Sequence, residues 1–126
     1  MRVDFDENVV AKIKANWQDG DRLLLTFEDG VGPYSQHAMI HMQVQFSINI
    51  IGSDMSLDTY DQTIDSNLGP VYIKGYSADS LDEHMTVKYK KTYDTMQLSG
   101  DVGVIDDNVG FIDFTDPASI KKNPAR

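Results

Sequence analysis

The chain has 126 residues, of which 40% are hydrophobic and 25% charged, the balance of a single globular domain with one core rather than of a disordered chain. Its net charge of −9, from 20 acidic and 11 basic residues, excludes a nucleic-acid partner, because phosphate neutralisation needs clustered Lys and Arg. There is no cysteine, so disulfides, a thiol nucleophile and thiolate metal ligands are beyond what this chain can supply.

Val3 to Phe5 reads as a short opening strand, and Asp6 as the N-cap of the helix after it. Phe5 and Val10 have the spacing of a hydrophobic staple, while Val9, Val10, Ile13 and Trp17 form one apolar stripe for burial. Gly20 is the expected C-cap. Arg22 to Glu28 is the next strand, with Leu23, Leu25 and Phe27 on one face. It delivers the Gly-rich loop Asp29-Gly-Val-Gly-Pro-Tyr-Ser35. From Gln43 to Ile50 polar and apolar residues alternate, predicting a strand with Val44, Phe46, Ile48 and Ile50 on a core. Gln43, Gln45, Ser47 and Asn49 would then face water or a partner.

Ser56 to Ile64 is polar and acidic, anchored by Leu57, Tyr60 and Ile64, and Asp65 to Pro70 is a turn-rich loop. Val71 to Lys74 is a short strand ending at Gly75, and Ser77 is placed to cap a short helix through Leu81. Met85 to Tyr89 and Tyr93 to Leu98 form a hairpin through Lys90 to Thr92, Val102 to Ile105 is a further short strand, and Val109 to Phe114 closes the fold. These elements predict a mainly β, antiparallel domain over 1–116, covered by one N-terminal amphipathic helix, with 117–126 as a frayed tail. No apolar run approaches the roughly 20 residues of a membrane span. The N-terminus has no apolar signal core, so the expected location is the cytoplasm, without a membrane partner.

His37 and His41 are the candidate metal ligands, being the one close pair of imidazoles. On a strand they share a face about 13 Å apart, too far to hold one ion, whereas on a helix the same spacing suits a metal. Asp54, Asp58, Asp61 and Asp65 lack the ligand spacing of a calcium loop, and Asp106-Asp107-Asn108 reads as a turn. No Gly-Lys-Ser/Thr phosphate loop or nucleophile elbow occurs, so no catalytic residues are assigned and the chain does not read as an enzyme.

Two phrases, Arg22 to Ser35 and Ile64 to Tyr76 (Ile-Asp-Ser-Asn-Leu-Gly-Pro-Val-Tyr-Ile-Lys-Gly-Tyr), together with the strand-then-capped-helix opening, resemble a lactobacillus-type branch of the HesB/IscA-like iron–sulfur cluster biosynthesis family. The resemblance spans Val3 to Phe114 and implies a small β-sandwich or barrel, often a homodimer. Such proteins hold iron or an Fe–S cluster through one Cys in the Gly-rich loop and a C-terminal Cys-x-Cys. Here Ser35 or a neighbour stands at the first position, and Ser99 to Asn108 contains no Cys-x-Cys, so no thiolate ligand carries over. The resemblance implies an iron carrier or accessory factor with Fe–S assembly proteins as partners. The alternative is a metal-free protein-interaction module on the same fold.

Overall fold

The structure, a computed structural model, describes residues 1–35 and 45–118. Nine strands form the framework: β1 (Arg2–Phe5), β2 (Arg22–Phe27), β3 (Phe46–Ile51), β4 (Gln62–Ser66), β5 (Val71–Ile73), β6 (His84–Lys90), β7 (Thr95–Ser99), β8 (Val104–Asp106) and β9 (Gly110–Asp113). One helix, α1 (Glu7–Ala15), and a 3-10 segment over Gly75–Ser80 complete the described elements. The strands lie in one sheet ordered β8-β7-β6-β1-β4-β5-β2-β3-β9. The sheet curls into a half-barrel. At its far end the Asp106 carboxylate in β8 accepts the Phe46 N–H of β3 at 2.7 Å, and the Val109 N–H reaches the Met96 carbonyl at 2.9 Å.

The domain is mainly β with one helix on the sheet, as the pattern predicts, but its pairing is mixed rather than mainly antiparallel. The β1–β4, β1–β6, β2–β5 and β3–β9 ladders are parallel. Hairpin spacing in a sequence reveals only pairings between neighbours, and these four join strands separated by intervening elements.

Asp6 is the N-cap: one carboxylate oxygen accepts the Val9 N–H at 2.9 Å, and the other accepts the Tyr89 N–H of β6, also at 2.9 Å. Glu7 in the first turn and Lys12 and Lys14 in the last suit the helix dipole. Val9 and Ile13 enter the main core with Val3, Phe5, Leu23, Leu25, Phe46, Ile48, Ile50 and Val87, and Val10 packs against its margin.

Several local expectations are corrected. The helix ends at Ala15 with Asn16 as C-cap, while Gly20 takes φ +87° in the following turn. Trp17 therefore leaves the helical stripe and is 37% exposed instead of buried. Gln62–Ser66 is a strand that runs from the polar, anchored stretch into the start of the expected turn-rich loop, because β1 and β5 give it partners that its own polarity does not advertise. Ser77 caps no helix; its hydroxyl donates to the Lys74 carbonyl at 2.6 Å.

The largest correction concerns the polar residues of β3. Ser47 and Asn49 are buried, not turned to water. Their side of the sheet carries a second apolar cluster, Leu24, Tyr34, Ile51 and Tyr60, with Met55, Leu57, Tyr72 and Phe114 at its margin. The central strands β2 and β3 are consequently covered on both faces, and polar groups trapped there need internal partners.

Candidate functional site

The site lies where β2 runs into the Gly-rich loop, beneath a cover made by the residues after β3. In β2, Thr26 faces the second cluster, and Glu28 just beyond the strand is fully buried. The β2–β3 register sets Thr26 opposite Ser47 and Leu24 opposite Asn49, so four polar side chains converge on one face. The Tyr60 hydroxyl lies 3.0 Å from Thr26 Oγ1. Since the Thr26 hydroxyl donates to Asn49 Oδ1, Tyr60 is the donor to Thr26. The Ser47 hydroxyl donates to the Glu28 carboxylate. Burial, with the nearby Glu28, Tyr34 and Asp29 charges, drives the Tyr60 phenol upward against the opposing Thr26 contact, so it remains a neutral donor.

The loop is drawn together by two devices. Ser35 Oγ accepts the Asp29 N–H at 3.0 Å and the Gly30 N–H at 2.9 Å, and donates to the Phe27 carbonyl at 3.1 Å. Asp29 in turn meets Lys74, which follows β5: Lys74 Nζ donates to Asp29 Oδ1 at 2.6 Å and to the Val31 carbonyl at 2.7 Å. The Tyr76 hydroxyl donates to Asp29 Oδ2. The Lys74 side chain has no exposed surface, and that of Asp29 is 17% exposed. The Lys74 ammonium also sits 5.9 Å from each of the Tyr60 and Tyr76 ring centres, within cation–π range.

Burial alone would raise the Asp29 carboxyl. Donation from Lys74, Tyr76 and the Val31 N–H, with the Lys74 charge, outweighs it and holds the group below the usual carboxylate range. Burial first, then Asp29 as acceptor and as charge, pushes the Tyr76 phenol up to about 12. The geometry of Gly32 is obligatory. It takes φ +87°, and a Cβ there would come within 2.5 Å of Thr59 Oγ1. Thr59 is itself held at φ +72°, costly for a β-branched residue, and the Tyr34 hydroxyl donates to the Ser56 carbonyl at 2.7 Å, fastening the cover to the loop.

His37 and His41, the pair on which a metal reading would rest, lie outside the described residues, as do Gln43 and Val44. Ser35, which with its neighbours is expected at the place of a family thiolate, is spent on the loop's own backbone. Asp61 accepts the Gly75 N–H at 2.7 Å, and Asp106 accepts from Phe46 and Asn108. Among the described residues no three His, Asp or Glu side chains gather as a metal site. An iron–sulfur cluster asks for thiolates, and this donor set does not fit one. Sequence reading misses Lys74, Tyr76 and the buried Thr26–Glu28–Ser47–Asn49–Tyr60 group. The one available signal is the run Leu23-Leu24-Leu25, which makes both faces of β2 apolar and so requires a second covering layer.

The chain matches the family described as iron-sulphur cluster biosynthesis over residues 1–113. It belongs to the iron-sulphur cluster biosynthesis family. Two crystal structures of proteins provisionally assigned to Fe-S biosynthesis are similar to this family member. That from Lactobacillus salivarius, described as having a novel fold, is 28% identical with a TM-score of 0.79, covering 90% of this chain and 98% of that one. That from Lactobacillus acidophilus is 24% identical with a TM-score of 0.69, covering 97% of this chain and 96% of that one, a likeness of fold alone. Comparison with curated proteins finds no match. Among the described residues of this family member, no helix is long and apolar enough to cross a membrane.

Proposed function

We propose that this chain serves iron–sulfur cluster biosynthesis as an accessory protein acting through contacts with other proteins, without holding a cluster on its own residues. The supporting observation is the self-bonded loop. Its Ser35 hydroxyl is committed to two backbone N–H groups and a carbonyl, and its Asp29 carboxylate is committed to Lys74 and Tyr76. A loop wired in this way is rigid and presents shape rather than ligands. Val31, at its tip, and Tyr76 are both exposed beside it.

The test is anaerobic incubation of the purified chain with ferrous iron and sulfide, followed by desalting and assay of bound iron and labile sulfide. Both are expected at background. Stoichiometric iron would overturn the accessory reading. Its loss in the His37→Ala/His41→Ala double variant would then make the chain an iron carrier using that pair. Cytoplasmic location and Fe–S assembly proteins as partners belong to the same reading, and are checked by cell fractionation and by co-purification with an assembly scaffold.

A further inference from the structure

Eight of the chain's cations fall within the described residues, and four of them are committed locally. Arg2 pairs with Asp4, Arg22 donates to the Ser53 carbonyl, Lys74 pairs with Asp29, and Lys12 lies over the Phe111 ring. Lys88, Lys90 and Lys91, like Lys14, form no ion pair among the described residues, but they alone are clustered, Lys88 and Lys90 on one face of β6 and Lys91 in the turn that follows it. The nearest carboxylate in sequence, Asp94, instead accepts from the Tyr89 hydroxyl at 2.7 Å. In the hairpin register Lys88 faces Gln97 and Lys90 faces Thr95, on the side opposite the buried Val87, Met96 and Leu98. Tyr93, in the connecting turn, is 77% exposed. Beside it lies a cleft of about 490 Å³ lined by Lys90, Tyr93, Thr95, Gln97, Asp107 and Asn108.

We infer that this hairpin tip is a docking surface for an extended acidic peptide segment of a partner protein. Charge complementarity selects the occupant. A cationic cluster on a chain of net charge −9 attracts a short acidic segment locally, while the molecule as a whole repels a long polyphosphate. The lining refines the choice. Asp107 disfavours a bare anion but can accept a peptide N–H, Gln97 and Asn108 bring amide groups suited to peptide backbone, and Tyr93 offers a flat ring for an apolar side chain. Glutamate or aspartate side chains of the segment then reach Lys88, Lys90 and Lys91.

The docking role rests on the accessory reading above. The test uses the full chain, without iron, and a short fluorescein-labelled peptide of alternating glutamate and valine, followed by fluorescence anisotropy at low salt. Binding is expected to weaken about tenfold or more in Lys88→Glu/Lys90→Glu/Lys91→Glu. It is expected to weaken several-fold in Tyr93→Ser, which leaves the net charge unchanged, and hardly at all in Lys14→Glu. Wild-type affinity in either hairpin variant would overturn the inference, as would tighter binding of a uridine oligonucleotide than of the peptide. Such a failure leaves the accessory reading standing, whereas iron retained in the reconstitution would remove that reading without altering the titration.

Discussion

A buried ammonium is held by fixed acceptors, and Lys74 has two: the Asp29 carboxylate at 2.6 Å and the Val31 carbonyl at 2.7 Å. Lys74→Met removes the cation but keeps the apolar stem, leaving a largely buried carboxylate without its charged partner. Breaking such a pair costs about 3 kcal/mol, the lower end of the usual range because Asp29 retains some contact with water. Urea denaturation measures this, and adding Asp29→Asn should recover part of the loss, since the uncompensated charge is then gone. The same residues set the pH response. Asp29 titrates below its unfolded value, so its contribution is present above the ordinary aspartate range and is lost as pH falls through the lowered value. Tyr76 is raised to about 12, so its contribution is present below about 10 and is lost as pH rises from there through about 12. Tyr76→Phe should therefore flatten the alkaline limb of urea midpoints measured against pH, and a limb as steep as wild type would refute the assignment.

At the scale of elements, the parallel β1–β4 ladder is among the shortest joins in the sheet, registering only Arg2 with Asp65 and Val3 with Ser66. Asn67 extends it with a side chain: its Oδ1 accepts the Phe5 N–H and its Nδ2 donates to the Phe5 carbonyl, both at 2.9 Å. Asn67→Ala leaves both backbone groups unpaired beside the core and should destabilise the fold by about 2 kcal/mol, with amide exchange at Phe5 accelerating most. Nothing local announces this role, because Asn67 belongs to a turn-rich phrase, while its partner lies 62 positions away. The N-terminal helix is legible for the opposite reason. Asp6, Val9 and Ile13 interact within a few residues, so spacing alone places them. Its end is not, since an aromatic at helical spacing does not reveal that the chain turns away after Ala15 and leaves Trp17 half in water.

For the molecule as a whole, alternation in β3 reveals that one face is apolar but cannot reveal what covers the other. Ser47 and Asn49 look like a solvent face until Tyr34 and Tyr60 are folded over them, and that layer comes from two loops. The candidate site is hidden for the same reason. Asp29 and Lys74 are 45 positions apart and meet only because β5 pairs with β2 in parallel. Mainly β character and one helix follow from local periodicity, whereas the mixed order of the sheet follows from contacts that periodicity does not encode.

The position of β1 carries a consequence for how the protein is made. It leaves the ribosome before the other described strands, yet its neighbours in the sheet are β4 and β6, and β6 is complete only at Lys90. Val3 and Phe5 must wait for most of the polypeptide before their strand is flanked on both sides, and β3 waits longer, for β9 at Asp113. Loop-closure entropy is spent before these distant pairings return anything, which slows folding. Translation-arrested chains in which Lys90 has not emerged from the ribosome should be cleaved by protease throughout β1 and α1, and chains carrying a C-terminal spacer that lets Asp113 emerge should resist. An early-resistant N-terminal half would contradict this order. Until those late partners emerge the early strands stay exposed, so the chain's demand on ribosome-associated chaperones is set by the placement of β1 and β3 in the sheet.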